Sequence, residues 1–279
     1  MRWKQFFTPV DSMDAVEAKK YIKEHPQGSF TLLDVRQPSE YEAGHISGSK
    51  LVPLPELKDR LAEIDSEQPI ITYCAIGGRS RVAAQMMAGK NFSKVYNLSG
   101  GFKAWQGNSA VGPEDQGLHL FSGKETPEEV LTVAYSLEKG LREFYLLMVP
   151  HMKDETSKKL FEKLSEIEIN HQKRVFDEYI RMTGYEINRD DFDKKVEDYG
   201  MEGGLTTDEY IKLYGSELSS AQDVIGLAMS IEAQALDLYL RSAENISDPD
   251  SKKILYQIAL EEQAHLQQLG ELMNQLKDF

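Results

Sequence analysis

The chain has 279 residues, which is too long for one ordinary hydrophobic core and predicts two domains of roughly 100 to 170 residues each. Its formal net charge of −14 repels phosphate backbones, and no stripe rich in Lys and Arg offsets that charge, so we exclude nucleic acid as a partner. No apolar run approaches the roughly 20 residues of a membrane helix and no secretory signal is recognisable, so we expect a cytoplasmic protein without a membrane partner.

The first 107 residues alternate short apolar runs with polar stretches of helical period. We predict buried strands at residues 30–35, 51–54, 69–73 and 94–98, with helices at 14–23, 56–64 and 79–89. This βαβα order implies an α/β domain at 1–107, in which a mainly parallel sheet is flanked by helices. Residues 108–125 are rich in Gly, Ser and Pro and have no period, so we interpret them as a linker.

From residue 126 the pattern predicts four long helices, which make an all-α domain at 126–279. Thr126, Pro127 and Glu129 form a capping box that starts the first helix, which ends near Val149. The other three helices are predicted at 154–182, at 219–243, and from an Asp248 cap to about 277. The second and third helices are separated by about 36 residues, enough to run the length of a bundle of roughly 40 Å. One long crossover is typical of a ferritin-like four-helix bundle.

The helical domain repeats itself at an offset of 94 residues. The segment from Ser136 to Glu138 aligns with the one from Ser230 to Glu232, and Glu168-Ile-Asn-His171 aligns with Glu262-Gln-Ala-His265. Each half therefore carries a Glu followed 30 residues later by Glu-x-x-His. A single Glu-x-x-His is common on solvated helices, but chance exposure does not explain six ligand types repeating in register.

These residues have the spacing of a two-metal carboxylate site. Positions i and i+3 share a helix face, so each Glu-x-x-His can direct both side chains at one point in the core. Four inward carboxylates and two imidazoles would be compensated by two divalent cations, and the oxygen-rich ligand set favours iron or manganese over the tetrahedral preference of structural zinc. We predict two iron ions, with manganese and zinc as the alternatives. The predicted metal ligands are Glu138, Glu168, His171, Glu232, Glu262 and His265.

The same register makes further assignments. Glu261 has no acidic counterpart in the first half, so we do not expect it to bind metal. Tyr145 and Tyr239 each follow a ligand Glu by seven residues, so their hydroxyls are predicted to support the carboxylates.

Residues 126–279 resemble the rubrerythrin branch of the ferritin-like proteins. The resemblance implies a di-iron centre, with the six ligands above, that reacts with peroxide or dioxygen. The chain departs from the family in two respects. Ala235 stands where rubrerythrins usually have a further Glu, and the Cys-x-x-Cys pairs of a rubredoxin are missing from this sequence. The resemblance therefore points to an external electron donor, such as a rubredoxin-type protein.

Cys74 is the only cysteine, which excludes an internal disulfide and a four-cysteine metal site. It follows a predicted strand and opens a loop that leads into a helix, which lowers a thiol pKa. Its Gly-Gly-Arg-Ser context favours a nucleophile over an inert buried thiol. Arg79 adds a cation, and the remaining residues of the predicted anion or persulfide loop are Ala75, Ile76, Gly77, Gly78 and Ser80.

Four residues separate Cys74 from Arg79, whereas cysteine phosphatases need five, so the shorter loop favours sulfur transfer. Residues 1–107 resemble the single-domain rhodaneses in Leu33-Asp-Val-Arg36, in the Cys74 loop and in the segment from Leu98 to Trp105. The resemblance implies that Cys74 accepts a sulfane sulfur as a persulfide and passes it to a thiophilic acceptor, while Arg79 binds the anionic donor. Asp34, Arg36, Glu42 and His45 are interpreted as a structural polar network.

The preferred hypothesis is a bifunctional redox enzyme that joins a sulfurtransferase to a di-iron peroxidase or oxidase. Cys74 is a candidate electron donor to the di-iron site. A carrier that stores iron or sulfur without turnover is the alternative, and a regulatory module is disfavoured because both sites are intact. A homodimer is a further expectation, since ferritin-like bundles often pair through helix faces.

Overall fold

A computed structural model describes residues 9–277 except 91, 93, 108, 198–199, 202–208, 211, 213–217 and 219, and the side chains of residues up to 275. The chain forms two compact units that divide between Glu114 and Asp115. The division lies inside the segment 108–125 that we interpreted as a linker, and the described residues on each side of it pack on their own unit.

The first unit contains a five-stranded sheet in which every strand pair is parallel, in the order β1-β5-β4-β2-β3. The strands are β1 (Asp11–Met13), β2 (Thr31–Asp34), β3 (Lys50–Leu51), β4 (Ile70–Tyr73) and β5 (Val95–Leu98). The central strand β4 is buried along its whole length, as its apolar run predicts. The predicted parallel α/β architecture is confirmed. The edge strand β1 was missed because its three residues are polar or partly exposed.

Among the described residues of this unit, the helices that accompany the sheet are α1 (Ala15–Glu24), α2 (Pro38–Glu42), α3 (Leu57–Arg60), α4 (Gly78–Ala88) and α5 (Gly101–Trp105). The carboxylate of Asp14 caps α1 by accepting hydrogen bonds from the N–H groups of Val16 and Glu17, both at 2.8 Å. The short helices α2 and α5 were not predicted, because five residues are too few to show a helical period.

Residues 109–121 pack on the two units in turn. Ala110 pairs with His45 in an isolated antiparallel bridge, and a carboxylate oxygen of Glu114 accepts a hydrogen bond from the N–H of Leu51 at 2.9 Å. Beyond the division, Phe121 is buried in the core of the second unit. The segment is therefore ordered by packing despite its loop-like composition.

The second unit contains four long helices, which confirms the predicted helical domain. They are α6 (Pro127–Met148), α7 (Glu155–Thr183), α9 (Ala221–Asn245) and α10 (Pro249–Lys277). Each begins at a polar cap: Thr126, Asp154, Ser220 and Asp248 accept hydrogen bonds from N–H groups of the first turns. The predicted start of the third helix at residue 219 lies outside the described residues.

Short links join α6 to α7 and α9 to α10, so the four helices form two hairpins. The long connection from α7 to α9 contains one described short helix, α8 (Arg189–Asp193), which was not predicted. This connection covers α6 closely, since a Cβ atom added at Gly140 would lie 2.0 Å from the carbonyl oxygen of Gly200. Helix α9 is buried on every side from residue 231 to 243. Among the described residues, no helix is long and apolar enough to cross a membrane.

Candidate functional site

Cys74 lies between the end of β4 and the start of α4, where its thiol is buried. The N–H of Gly77 donates to the Cys74 Sγ at 3.1 Å, and the hydroxyl of Ser80 lies 3.5 Å from the same sulfur. Gly77 adopts a left-handed conformation with φ of 91°, which turns the loop into the helix. The structure therefore brings Cys74, Gly77 and Ser80 of the predicted loop together.

The pKa of Cys74 reflects two opposed effects. Burial raises the pKa of the thiol. Hydrogen bonds from the Ser80 hydroxyl and from the N–H groups of Ser80, Ile76 and Gly77 lower the pKa by a larger amount, so the net shift is downward. The same N–H groups would stabilise a negative charge on a sulfur bonded to Sγ. This is the electrostatic environment of a nucleophilic thiol.

The start of α5 fixes the loop from the other side. The N–H of Phe102 donates to the carbonyl of Cys74 at 2.7 Å, and that of Lys103 donates to the carbonyl of Ala75 at 3.0 Å. Gly101 has φ of 59°, and a Cβ atom there would lie 2.2 Å from the carbonyl oxygen of Cys74. Only glycine allows this approach, so the Gly-Gly pair before Phe102 shapes the thiol loop.

Arg79 is paired with Glu40, a residue to which the sequence assigned no role. Its two terminal nitrogens each lie 2.6 Å from a carboxylate oxygen of Glu40, which is in α2. The Arg79 guanidinium lowers the pKa of Glu40 to about 2. Ile76, by contrast, projects into solvent with 71% of its surface exposed. The arginine beside the thiol is thus held by a carboxylate.

A buried ion pair, Arg36 with Asp34, lies against Phe102, whose N–H contacts the thiol loop. Arg36 donates to both carboxylate oxygens of Asp34, at 2.6 to 3.0 Å, and to the carbonyl of Gly44 at 2.7 Å. Its guanidinium lies 4.4 Å from the ring centroid of Phe102. His45 is buried and stacks on Tyr41. The predicted polar network needs one correction, because the side chain of Glu42 is exposed and does not belong to this buried set.

The six predicted metal ligands are all buried in the helical unit, and they form two clusters of three. One cluster comes from each hairpin, and within each cluster one ligand atom per residue lies within 4.8 Å of the others. In the first, His171 Nδ1 lies 2.7 Å from Glu168 Oε2 and 3.4 Å from Glu138 Oε2. In the second, His265 Nδ1 lies 3.1 Å from Glu262 Oε2 and 3.6 Å from Glu232 Oε2.

The two clusters meet at their histidines. The rings of His171 and His265 stack with centroids 3.8 Å apart and an interplanar angle of 1°. Each ring turns Nδ1 towards its own pair of carboxylates, so Nδ1 is the nitrogen available to a metal ion. The repeat in the sequence is thus reproduced as a repeat in space.

The four buried carboxylates carry negative charge that the surrounding side chains do not neutralise, and divalent cations would neutralise it. Glu138, Glu168, Glu232 and Glu262 each keep a buried oxygen that accepts no well-aligned hydrogen bond among the described residues, although Glu168 Oε2 lies 2.7 Å from His171 Nδ1. Burial raises the pKa of Glu138 and of Glu262 to about 8 and that of Glu168 to about 7. Two divalent cations would supply the missing charge and accept the buried oxygens, so the residues present fit the predicted metal pair.

The two tyrosines that were predicted to support the carboxylates lie in the core of the helical unit. Tyr145 and Tyr239 are fully buried, and described ring contacts join Tyr145 to Phe144 and Phe161, and Tyr239 to Phe121. Their support of the carboxylates stays a prediction. Ala235 is also fully buried.

One charged residue near the cluster was missed by the sequence analysis. Arg174 Nη2 lies 3.1 Å from His265 Nε2 and 3.7 Å from a carboxylate oxygen of Glu261. Its position three residues after His171 on the same helix was the available signal.

Two family models match the chain, one for each unit. The family described as rhodanese-like domain matches residues 14–108, and the family described as rubrerythrin matches residues 129–273, which is more than half of the chain.

Individual relatives match the first unit. The chain is 46% identical over 76 residues to the uncharacterized protein YqhL of Bacillus subtilis, covering 27% of this chain and 60% of that protein. It is 40% identical over 75 residues to the thiosulfate sulfurtransferase GlpE of Ectopseudomonas mendocina, covering 27% of this chain and 69% of that one. The chain is 26% identical to the crystal structure of a rhodanese-like domain protein from Staphylococcus aureus, with a TM-score of 0.32. The match covers 34% of this chain and 91% of the Staphylococcus aureus chain.

Proposed function

Because the chain belongs to the rubrerythrin family and joins that domain to a rhodanese-like sulfurtransferase domain, we propose that it is a bifunctional redox protein of the cytoplasm. One activity is sulfur transfer through a persulfide on Cys74. The other is reaction of a di-iron centre with peroxide or dioxygen. The observation that carries the proposal is the pair of buried clusters, with four carboxylates and two stacked imidazoles, in a chain that also holds a thiol beneath backbone N–H groups.

For sulfur transfer, the Cys74 thiolate attacks the outer sulfur of a donor such as thiosulfate. The S–S bond of the donor breaks, sulfite leaves with the electron pair, and Cys74 carries a persulfide anion. A thiophilic acceptor then takes the terminal sulfur and restores the thiolate. The N–H groups of Ile76 and Gly77 stabilise the anion at each stage, and Arg79 draws the anionic donor to the loop.

This activity is tested by incubating the protein with thiosulfate. We expect Cys74 to gain the mass of one sulfur atom while one sulfite is released, and we expect neither change in Cys74→Ser. Transfer that persists in Cys74→Ser would contradict the assignment.

In the helical unit, two iron ions would be held by Glu138, Glu168 and His171 on one side and by Glu232, Glu262 and His265 on the other. When bound, the metal pair supplies the electrons that reduce peroxide or dioxygen. The protein supplies ligands aligned from four helices and a core that excludes water. Electrons must return from a donor, and a rubredoxin-type protein is the class of partner that we propose.

Metal analysis of anaerobically purified protein tests the second activity. Because there are two ligand clusters, we expect about two irons per chain. We also expect the absorption of an oxo-bridged iron pair after peroxide is added. Iron that binds but is released to an acceptor without peroxide turnover would instead indicate a carrier. A Glu168→Ala and Glu262→Ala double variant should lose the metal while keeping its sulfur transfer.

A further inference from the structure

The two halves of the metal cluster have the same ligands but different neighbours. At the 94-residue offset that aligns the six ligands, Arg174 aligns with Gln268 and Glu261 aligns with Ile167. The charged pair beside the second half therefore has neutral residues at the matching positions of the repeat. A site whose ligands are duplicated need not bind two equal metal ions if its surroundings differ.

Arg174 lies at one edge of the His265 ring, and the ligand carboxylates of Glu232 and Glu262 lie at the other. Arg174 projects from α7 and places Nη2 3.1 Å from His265 Nε2, with Glu261 of α10 at 3.7 Å. On the other edge of the ring, Nδ1 lies 3.1 Å from Glu262 Oε2. One ring nitrogen faces the metal cluster and the other faces a guanidinium.

This arrangement is unfavourable for a His265 ring that binds metal through Nδ1. A guanidinium only donates hydrogen bonds, so its contact with Nε2 is a hydrogen bond only when Nε2 carries no proton. A neutral imidazole that gives its Nδ1 lone pair to a metal carries its proton on Nε2. Two N–H groups would then face each other, whereas metal-binding histidines ordinarily donate this N–H to an acceptor. Arg174 also adds a positive charge beside the cation.

Resting on the two-metal site proposed above, we propose that Arg174 makes the halves of the site unequal. The half formed by Glu138, Glu168 and His171 binds its divalent cation first. The half formed by Glu232, Glu262 and His265 binds its cation more weakly, by about ten-fold, which is within the range for residues that contact a metal ligand. Arg174 is thus a positioning residue that sets the order of metal loading.

Stepwise metal binding tests this order. Metal-free full-length protein is titrated anaerobically with Co²⁺, which does not change oxidation state there, in competition with a chromophoric chelator. We expect two binding constants in the unmodified protein. In Arg174→Gln, which copies the neutral residue of the other half, the weaker constant should rise about ten-fold while the stronger one is unchanged. Lys173→Gln removes the same charge from an exposed neighbouring position and should change neither constant.

A reciprocal variant separates this role from a general loss of charge. Gln268→Arg should weaken the first half, and the double variant with Arg174→Gln should restore two unequal constants. Two constants that Arg174→Gln leaves unchanged, or that Lys173→Gln shifts equally, would overturn the role of Arg174. Failure of every variant and of the unmodified protein to bind Co²⁺ would instead overturn the two-metal site itself.

Discussion

At the scale of single residues, the ion pair of Arg79 with Glu40 determines the net charge beside the Cys74 thiol. Arg79 donates two hydrogen bonds of 2.6 Å to Glu40, yet the two side chains are 36% and 34% exposed. Water screens such a pair, so its contribution to the free energy of unfolding is small. The pair matters more for sulfur transfer at Cys74, because Glu40 weakens the attraction of Arg79 for an anionic sulfur donor.

Replacing Glu40 by Gln should leave the charge of Arg79 uncompensated. One unit of charge at about 4 Å in water is worth about 1 kcal/mol, so we expect the thiosulfate KM to fall about five-fold and the pKa of Cys74 to fall as well. Sulfite release and the pH dependence of Cys74 alkylation measure the two effects. Glu42→Gln, in the same helix but exposed, is the matched control. An unchanged KM in Glu40→Gln would contradict this account.

The pH dependence of the pair follows from the lowered pKa of Glu40. Arg79 brings that pKa from 4.5 to about 2, so the carboxylate favours the folded loop when it is ionised. The contribution of the pair is complete above about pH 4.5 and is lost as the pH falls towards 2. We therefore expect the ratio of KM values between wild type and Glu40→Gln to stay constant from pH 5 to pH 8.

At the scale of elements, two glycines set how closely segments approach. Gly101 lets α5 rest on the thiol loop, and Gly140 lets the long connection rest on α6 two residues after Glu138. In each case a methyl group would collide with a backbone carbonyl, which cannot move aside as a side chain can.

Gly101→Ala should destabilise the first unit by at least about 2 kcal/mol, because it adds both a collision and a strained φ. Denaturant unfolding measures the loss, and slower alkylation of Cys74 at neutral pH should accompany it. Gly78→Ala is the control: no atom lies within 4 Å of its added Cβ, so we expect a change of at most about 1 kcal/mol, in the stabilising direction. Equal effects of the two substitutions would refute the close approach.

Gly140→Ala makes the corresponding prediction for the bundle. The added methyl group must push the connection at Gly200 away from α6, so we expect the helical unit to lose about 2 kcal/mol or more. Gly226→Ala, in α9 with open space around its Cβ, should gain about 0.5 to 1 kcal/mol from helix propensity alone. Far-UV circular dichroism during urea unfolding compares them, and a stable Gly140→Ala protein would show that the contact is dispensable.

Local spacing explains what the sequence could predict. The hairpins, their caps and the ligand triads follow from helical period and from the 94-residue repeat, because these patterns lie within one or two helices. The pairs Arg79–Glu40 and Arg174–His265 join residues 39 and 91 positions apart. Helical spacing places Arg174 near His171, but it does not identify the distant partner of either arginine. Strand β1 escaped prediction for a related reason, since its three residues include only one apolar side chain, Met13, and only pairing with β5 makes them a strand.

At the scale of the whole molecule, the two units offer separate spectroscopic reporters. Both tryptophans, at positions 3 and 105, precede the division at residue 115, whereas the long helices all follow it. Because Trp105 is buried in the first unit, its fluorescence reports unfolding of that unit, and far-UV circular dichroism is dominated by the second.

Removing metal should affect only the second of these signals. Cations present at about 100 times their Kd stabilise the state that binds them by about 2.7 kcal/mol, so chelation should lower the Tm of the helical unit by about 5 to 10 °C. The fluorescence transition should not move. A shift of the fluorescence transition on chelation would show that the units unfold together.

The two-hairpin layout of the ligands also bears on how the bundle folds. Each hairpin has a short link and carries a complete triad, so each can form early from contacts that are local in sequence. Docking of one hairpin on the other is then the slow, late step, because it closes the long connection and stacks His171 on His265. We therefore expect refolding to pass through a helical species in which the rings of His171 and His265 are not yet stacked.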